Sequence, residues 1–473
     1  MTTELTAPPL DPRISPTTET EHLELVRRRG RWIDNWDAED VGQWNREGRG
    51  IARRNLRWSI FAEFLGFVVW QLWSIVVVML PGAGFVLSTT ETFWLISIPS
   101  LVGATLRFPY SFMVAKFGGR NWTIVSAGLL LIPAIALGIV VTNPATPFAV
   151  LVGVAALAGV GGGNFASSMS NITFFYPLRE KGWALGLNAA GGNLGASVAQ
   201  FVVPIAVTIG AGATLNLPLA GWIWVPFILL AMFGAYRYMD NLSSAKADFA
   251  GSAAALREPH LWILAVLYIG TFGSFIGFAS VFPKLIADSF PGFSSFSVGE
   301  ASLSLAFLGA LVGSLSRPYG GKLADRFGGA IVTVAAFGVM AVGALAVVWT
   351  LPLGSFWLFL GCFLLLFVAS GVGNGSTYRM IPSVFAARGG SRSAHTSSGD
   401  VSTQRKAAAA LGLISAIGAY GGFVIPQVLN LSHGATGSYV HAFYGFVGAY
   451  VLFMAITSVV YLRRNSSLAG QRI

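Results

Sequence analysis

The sequence predicts an all-α membrane protein of twelve transmembrane helices arranged as two pseudo-symmetric six-helix bundles. Three observations carry this. Hydrophobic residues make up 54% of the 473-residue chain, charged residues only 11%, and the mean hydropathy is +0.66, whereas a soluble protein carries about 25% charge. The apolar residues fall into runs long enough to span a bilayer. The runs repeat: motifs in the first half recur in order in the second.

The elements follow in chain order. Residues 1–57 are polar and basic, with Arg27, Arg28, Arg29, Arg31, Arg46, Arg49, Arg53, Arg54 and Arg57 clustered ahead of the first apolar run. In a soluble protein a net charge of +10 would point to nucleic acid. Here the placement reads as an orientation signal that can also touch anionic lipid, and no nucleic-acid partner is expected. The first run starts too late for a signal peptide. Apolar runs place spans at 58–80, 93–115, 121–142, 147–175, 182–208 and 219–239. A polar linker at 240–259 separates these from spans at 260–282, 299–319, 330–350, 355–379, 407–429 and 440–462, and the last bundle is bounded at 260–464 with a tail at 465–473. Lysine and arginine gather in one set of loops, at Lys116, Arg120, Arg179, Lys181, Arg237, Lys246, Arg257, Lys322, Arg326, Arg388, Arg392, Arg405 and Lys406; the opposite loops hold Lys284 alone. This asymmetry puts both termini in the cytoplasm. A single cysteine, Cys362, excludes a disulfide framework and a cysteine metal site; no metal or cofactor is expected.

The internal repeat is specific. Arg107 precedes FGG (117–119) by ten residues, and Arg317 precedes FGG (327–329) by ten. GVGGG (159–163) pairs with GVGNG (371–375), and ALGL (184–187) with ALGL (410–413), at offsets of 210, 212 and 226 in the three cases. Parallel six-span repeats characterise the major facilitator fold, in which the substrate site lies between the halves near the bilayer midplane. GGKLADRFGG (320–329) resembles that superfamily's cytoplasmic loop motif; the first-half copy AKFGGR (115–120) lacks the aspartate.

The glycines at 159, 161, 162 and 163 do not form a nucleotide loop. A dinucleotide fingerprint needs a preceding strand and a glycine where Asn164 stands, and no GK[ST] follows. Small residues instead let membrane helices approach closely. Gly159/Gly163, Gly191/Gly195 and Gly418/Gly422 form GxxxG steps, and Gly161, Gly162, Gly371, Gly373 and Gly375 extend the pattern. They read either as packing positions or as a smooth surface on which one bundle rocks against the other.

Arg107 and Arg317 lie well within spans two and eight. A guanidinium at the midplane costs about 3 kcal/mol or more. Glu63 is the only carboxylate deep in a span, so acids cannot neutralise both. Because the repeat relates the two arginines, the economical reading is an anion held between them, one from each half. Aromatic residues rather than lysines surround them in the spans: Phe67, Phe165, Tyr268 and Phe272. A planar, weakly hydrated monoanion suits such a cavity, because guanidinium forks onto oxygens.

At this level of detail the chain resembles the nitrate/nitrite porter (NarK-type) family of the major facilitator superfamily over about residues 56–464. The resemblance rests on GGGNFASSMSNITFFYP (161–177), GVGNGSTYRMIP (371–382), RFPYSFMVAKFGGR (107–120), FGSFIGF (272–278) and AALGLISAIGAYGGFVIP (409–426). It implies that Arg107 and Arg317 grip nitrate or nitrite. Asn193 and Tyr268 would add hydrogen bonds, and Phe67, Phe165 and Phe272 would enclose the ion. It also implies a monomer in the cytoplasmic membrane of a bacterium. Two departures stand out. Arg379 interrupts the second signature and reads as a snorkelling residue. Glu63 reads as an interfacial glutamate near the inner end of span one, or as a proton carrier or arginine partner.

The expected mechanism is exchange of nitrate for nitrite. Two bare arginines occluded together repel more strongly as the local dielectric falls, so the loaded carrier crosses more easily than the empty one. Proton symport needs a titratable group in the pathway, and Glu63 is the only candidate: His22, His260, His395, His433 and His441 fall in loops, tails or span ends. A nitrate sensor with a transporter-like body would need a soluble output domain, for which the polar ends are too small. A passive channel would give no counterflow acceleration. No nucleophile–base spacing or metal-ligand cluster supports an enzyme.

Overall fold

Apolar stretches of about twenty residues have one solution in lipid, the helix, because it satisfies every backbone group internally. The computed structural model describes residues 24–210, 214–246, 249–390 and 409–463, and among these twelve long helices run in the order the apolar runs predict. They are α1 (Arg49–Met79), α2 (Thr89–Phe117), α3 (Gly119–Val140), α4 (Phe148–Phe175), α5 (Leu178–Thr208) and α6 (Leu219–Tyr238), then α7 (Pro259–Ser289), α8 (Phe307–Phe327), α9 (Gly329–Leu353), α10 (Phe356–Gly390), α11 (Ala409–Thr436) and α12 (Val440–Leu462). Ten of the twelve are apolar enough to cross a membrane on composition alone. The two that fall short, α2 and α8, are those carrying Arg107 and Arg317, where small and polar residues replace aliphatic ones on the buried face.

Local chemistry sets the helix ends. Ser88 and Glu91 form a reciprocal capping box at the start of α2. Gly118 ends α2 with φ +86° and Gly328 ends α8 with φ +93°, a region that glycine occupies without strain. The two FGG copies therefore perform the same sharp reversal, one in each half.

Several predicted boundaries shift. Residues 299–303 lie outside α8: Phe296–Val298 and Ala301–Leu303 pair antiparallel as a hairpin around Gly299, φ +63°. The span predicted at 355–379 runs on, since α10 continues to Gly390; 391–408 lie outside the described residues. The linker is partly ordered structure. Asn241–Leu242 forms a strand, and Phe249–Leu256 a short helix.

The described part of the basic N-terminal segment is folded onto the first half. Val26–Arg28 pairs antiparallel with Trp32–Asp34, which pairs in parallel with Asn241–Leu242. Arg31 donates to the carbonyls of Met239 (2.7 Å) and Arg237 (2.9 Å), satisfying acceptors that the end of α6 leaves open. Asp240 is buried and accepts from Arg31 (2.7 Å), Arg54 (2.6 Å) and Asn55 (3.0 Å). Trp36 reaches the Phe174 carbonyl at 3.1 Å, and Trp44 reaches Glu180 at 3.1 Å. An orientation signal needs only charge; these arginines also have specific partners.

Within each half, α1 packs along α5, α2 along α4, α8 along α10 and α9 along α10; between halves, α5 meets α8, α2 meets α11, and α1 meets α7. Polar contacts join the halves on the side away from the N-terminal segment. Gln200 donates to the Ala279 carbonyl (2.7 Å), Ser280 to Gln71 (3.3 Å), Ser197 to the Phe307 carbonyl (3.0 Å), and Gln427 to Ser97 (2.7 Å).

Candidate anion-binding site

The two arginines sit in the same register of their helices. Buried positions on α2 include Gly103, Ala104, Arg107, Tyr110 and Val114; on α8 they include Gly313, Ser314, Arg317, Gly320 and Ala324. The sets match residue for residue at an offset of 210, and the 3–4 spacing places each on one helix face. The repeat therefore aims both side chains inward.

Arg107 is 1% exposed and Arg317 5%. Arg107 donates from Nε to the Gly162 carbonyl (3.1 Å) and from Nη1 to the Ser415 carbonyl (2.9 Å), the second bond crossing from one half to the other. Arg317 Nη2 lies 3.4 Å from the Tyr268 hydroxyl. Neither guanidinium has a carboxylate within ion-pair distance among the described residues, and Arg107 Nη2 and Arg317 Nη1 have no hydrogen-bond partner. Rings supply part of the missing stabilisation. The Arg107 Cζ lies 4.5 Å from the Phe165 centroid, 5.0 Å from Phe272 and 5.4 Å from Trp70; the Arg317 Cζ lies 5.7 Å from Phe165 and 5.4 Å from Tyr378.

The aromatic residues form a connected wall. Phe67 meets Phe165 edge-on at 6.2 Å, Phe165 stacks on Phe272 at 6.2 Å, and Phe272 stacks on Tyr268 at 5.4 Å. Tyr268 caps, and Phe272 lies within, a π-helical turn, Ile269–Gly273, a local widening often found where a helix serves function. Asn193 is 1% exposed and both polar atoms of its amide lack partners. Among the described residues both arginines and Asn193 thus keep buried N–H donors without a partner.

Sequence reasoning missed Trp70, Tyr378 and the Ser415 carbonyl. Trp70 is one turn from Phe67, so its face was readable. Tyr378 lies in the quoted signature beside the charged Arg379, and an aromatic in a membrane span is most often a packing or lipid-facing residue. A backbone acceptor such as Ser415 leaves no mark in side-chain chemistry. Arg379 itself donates to Asp325 of the GGKLADRFGG motif at 2.6 Å and to Ser383 at 3.0 Å, so it is an exposed, paired residue.

Glu63 is not interfacial. It is fully buried in α1, accepting from Asn188 Nδ2 at 2.6 Å, and Gly192 faces its carboxyl so closely that a Cβ there would lie 2.2 Å from Oε1.

The glycines divide by neighbour. A Cβ at Gly161 would meet the Gly66 carbonyl at 2.1 Å, one at Gly195 the Phe64 carbonyl at 2.2 Å, and one at Gly375 the Arg317 carbonyl at 2.1 Å. Gly159, Gly162 and Gly163 likewise face α2, Gly191 faces α1, and Gly371 faces α8; Gly373 and Gly418 face α7. All these contacts are internal to one half. Gly422 alone of the set abuts the other half, at Ser100. Packing within a bundle, rather than a sliding surface between bundles, accounts for the rest here.

A cavity of about 540 Å³ extends from Phe165 and Ser415 toward the face bearing the N-terminal segment. Its walls include Ser111, Met169, Thr173 and Tyr378, and Lys246 of the linker stands at its rim. Together with the polar contacts that join the halves on the far side, this opens the molecule toward the face of its N-terminal segment.

A twelve-helix bundle with a charged site between repeated halves defines a secondary transporter. The family model of the Major Facilitator Superfamily matches residues 62–426. The nitrate/nitrite transporter NarU of Escherichia coli (strain K12) is 41% identical over 455 residues, covering 92% of this chain and 97% of that protein. NarU of Salmonella typhimurium is 43% identical over 461 residues, covering 92% and 96%. The probable nitrate/nitrite antiporter NarK2 of Thermus thermophilus is 36% identical over 462 residues, covering 93% and 99%. Among solved structures, a bacterial homolog of the human lysosomal transporter Spinster aligns with TM-score 0.60 at 16% identity over 85% of this chain and 95% of that one. The nucleoside transporter NupG aligns with TM-score 0.56 at 13% identity, covering 86% and 99%; at such identities these two speak for the fold alone. The chain belongs to the Major Facilitator Superfamily and, within it, to the NarK-type nitrate/nitrite porter family.

Proposed function

We propose that the protein carries nitrate and nitrite across a bacterial cytoplasmic membrane by alternating access, exchanging one for the other, with both chain ends in the cytoplasm. The observation that carries this reading is the pair of buried arginines, one per half, lying over the same phenyl ring with one unpartnered Nη nitrogen each. Arg107 and Arg317 clamp the anion, Asn193 and Tyr268 add donors, and Phe67, Phe165 and Phe272 shut out water.

The geometry favours exchange. Closing the cavity around two uncompensated guanidiniums is opposed by their repulsion, and a bound monoanion offsets it. The empty carrier therefore reorients slowly and the loaded one quickly. The basic loops on one face orient that face inward, and with this orientation the structure is inward-open. The relatives' names agree with both the substrate and, for NarK2, the antiport mode. The test is counterflow: vesicles preloaded with nitrite should take up labelled nitrate several-fold faster than empty ones. Equal rates would overturn exchange.

A further inference from the structure

The basic segment ahead of the first span divides by partner. Arg27, Arg28, Arg31, Arg49 and Arg54 each pair with a carboxylate. Arg53 and Arg57 have no carboxylate partner among the described residues, and both are exposed. They are four residues apart and so share one face of α1. Arg49 donates to Glu180 at 3.1 Å, and Gly191 abuts Ile60, so α1 and α5 run side by side in parallel, each residue of α1 level with the one 131 places later. Arg53 and Arg57 are thereby level, to within one residue, with Trp183 and Leu187 of α5. Those two are also four apart, and they are 57% and 42% exposed. Tyr176 ties the two stripes together. Its ring meets Trp183 at 6.4 Å, and its hydroxyl lies in the positive field of both arginines. The tyrosine is 1% exposed, yet that hydroxyl has no hydrogen-bond partner. Glu180, the acid of this corner, is already engaged by Arg49 and Trp44.

We propose that this outer seam of α1 and α5 seats one acidic phospholipid from the leaflet on the side of the N-terminal segment. Arg53 and Arg57 grip the phosphate, and Trp183 and Leu187 lie along the acyl chains. The depth is right for a headgroup. Trp58, next to Arg57, opens the apolar run and stacks on Tyr238 at 5.5 Å, a ring placement typical of the membrane–water interface. The chemistry selects among phosphate sources. A free phosphate ion would meet the arginines and leave the exposed tryptophan and leucine in contact with nothing apolar. A zwitterionic lipid would bring its own cation toward two guanidiniums, whereas a net-negative headgroup gains from both. Guanidinium also forks onto phosphate oxygens, and the unsatisfied Tyr176 hydroxyl adds a donor at the same corner. None of these side chains lines the transport cavity, so the seat is distinct from the anion site proposed above and does not depend on it.

The test uses the full-length protein in detergent, titrated with dioleoylphosphatidylglycerol, and reads both the melting temperature and the lipid retained in native mass spectrometry. Phosphatidylglycerol should bind and raise the melting temperature, while dioleoylphosphatidylcholine and sodium phosphate should do neither. In the double variant Arg53→Gln, Arg57→Gln the affinity for phosphatidylglycerol should fall roughly thirtyfold, the factor for two basic contacts of about 1 kcal/mol each. The double variant Arg27→Gln, Arg28→Gln removes the same charge from the same segment, and it should bind the lipid within about twofold of wild type because charge at a distance is screened. Trp183→Ala should weaken the lipid with the arginines intact. Equal binding of phosphatidylcholine would make the seam a general lipid contact, and equal protection by sodium phosphate would make it a simple ion site; either result overturns the proposal. So does a loss in the Arg27, Arg28 variant as large as that in the Arg53, Arg57 variant. If the Arg53, Arg57 variant melts early without lipid, Trp183→Ala decides, and wild-type affinity there overturns the lipid assignment.

Discussion

Arg107 and Arg317, from helices 210 residues apart in register, share the Phe165 ring, with their Cζ atoms 4.5 Å and 5.7 Å from its centroid. One phenyl group thus supports two cations from opposite halves. Phe165→Leu keeps most of the volume and removes the π face. Each cation–π contact is worth about 0.5–2 kcal/mol, so nitrate affinity should fall roughly tenfold. Isothermal titration with nitrate reads this, and an unchanged Kd would refute the support role.

Arg317→Lys preserves charge and abolishes the forked donor. A charge-assisted hydrogen bond is worth about 1.5–3 kcal/mol, so transport should drop by about tenfold or more. Near-normal nitrate uptake in vesicles would mean that charge alone suffices.

Gly375→Ala places a methyl group against backbone that cannot yield, the Arg317 carbonyl at 2.1 Å. Overpacking of this kind costs about 1–3 kcal/mol. The expected result is a lower melting temperature together with weaker nitrate binding, because the strain falls on the helix turn that carries Arg317. Gly361→Ala, with open space around its Cα, should change neither.

Much of this architecture was readable because membrane helices announce themselves by length and the repeat doubled each signal. Arg107 and Arg317 were legible as a pair through their common distance to FGG. The hairpin at 296–303 was not, since Leu303, Leu305 and Phe307 merge its apolar residues into the run that follows. Nor was the burial of Glu63: sequence places it near the helix start, but α1 begins at Arg49, nine residues before the apolar run, and Asn188 and Gly192 of α5 enclose it. Asn193 was found by its motif; that its amide has no protein partner is visible only in three dimensions.

The polar seal and the cavity predict a one-sided pattern of access. In a Cys362→Ser background, Thr173→Cys should react with a membrane-impermeant thiol reagent in inside-out vesicles and resist it in right-side-out ones. The opposite pattern would reverse the orientation assigned from the basic loops.

Asp240 is the common acceptor of Arg31, Arg54 and Asn55. Removing a buried acid strands its cations, at a cost of about 3–5 kcal/mol when both are buried. Here the arginines are about one-third exposed, so Asp240→Ala should cost about 2 kcal/mol. Thermal unfolding measures it; a shift no larger than that of Asp325→Ala, whose pair with Arg379 is exposed, would deny the cluster its role.

The stitching of Asn241–Leu242 to Trp32–Asp34 and of Ser243 to the Ile33 carbonyl shortens the leash between the bundles. Its first stretch travels with the leading bundle as cargo, so any tilt of one bundle against the other must be taken up between Ser243 and the start of α7 at Pro259. A chain that seems from its residue count to be generously tethered is in mechanical terms closely coupled.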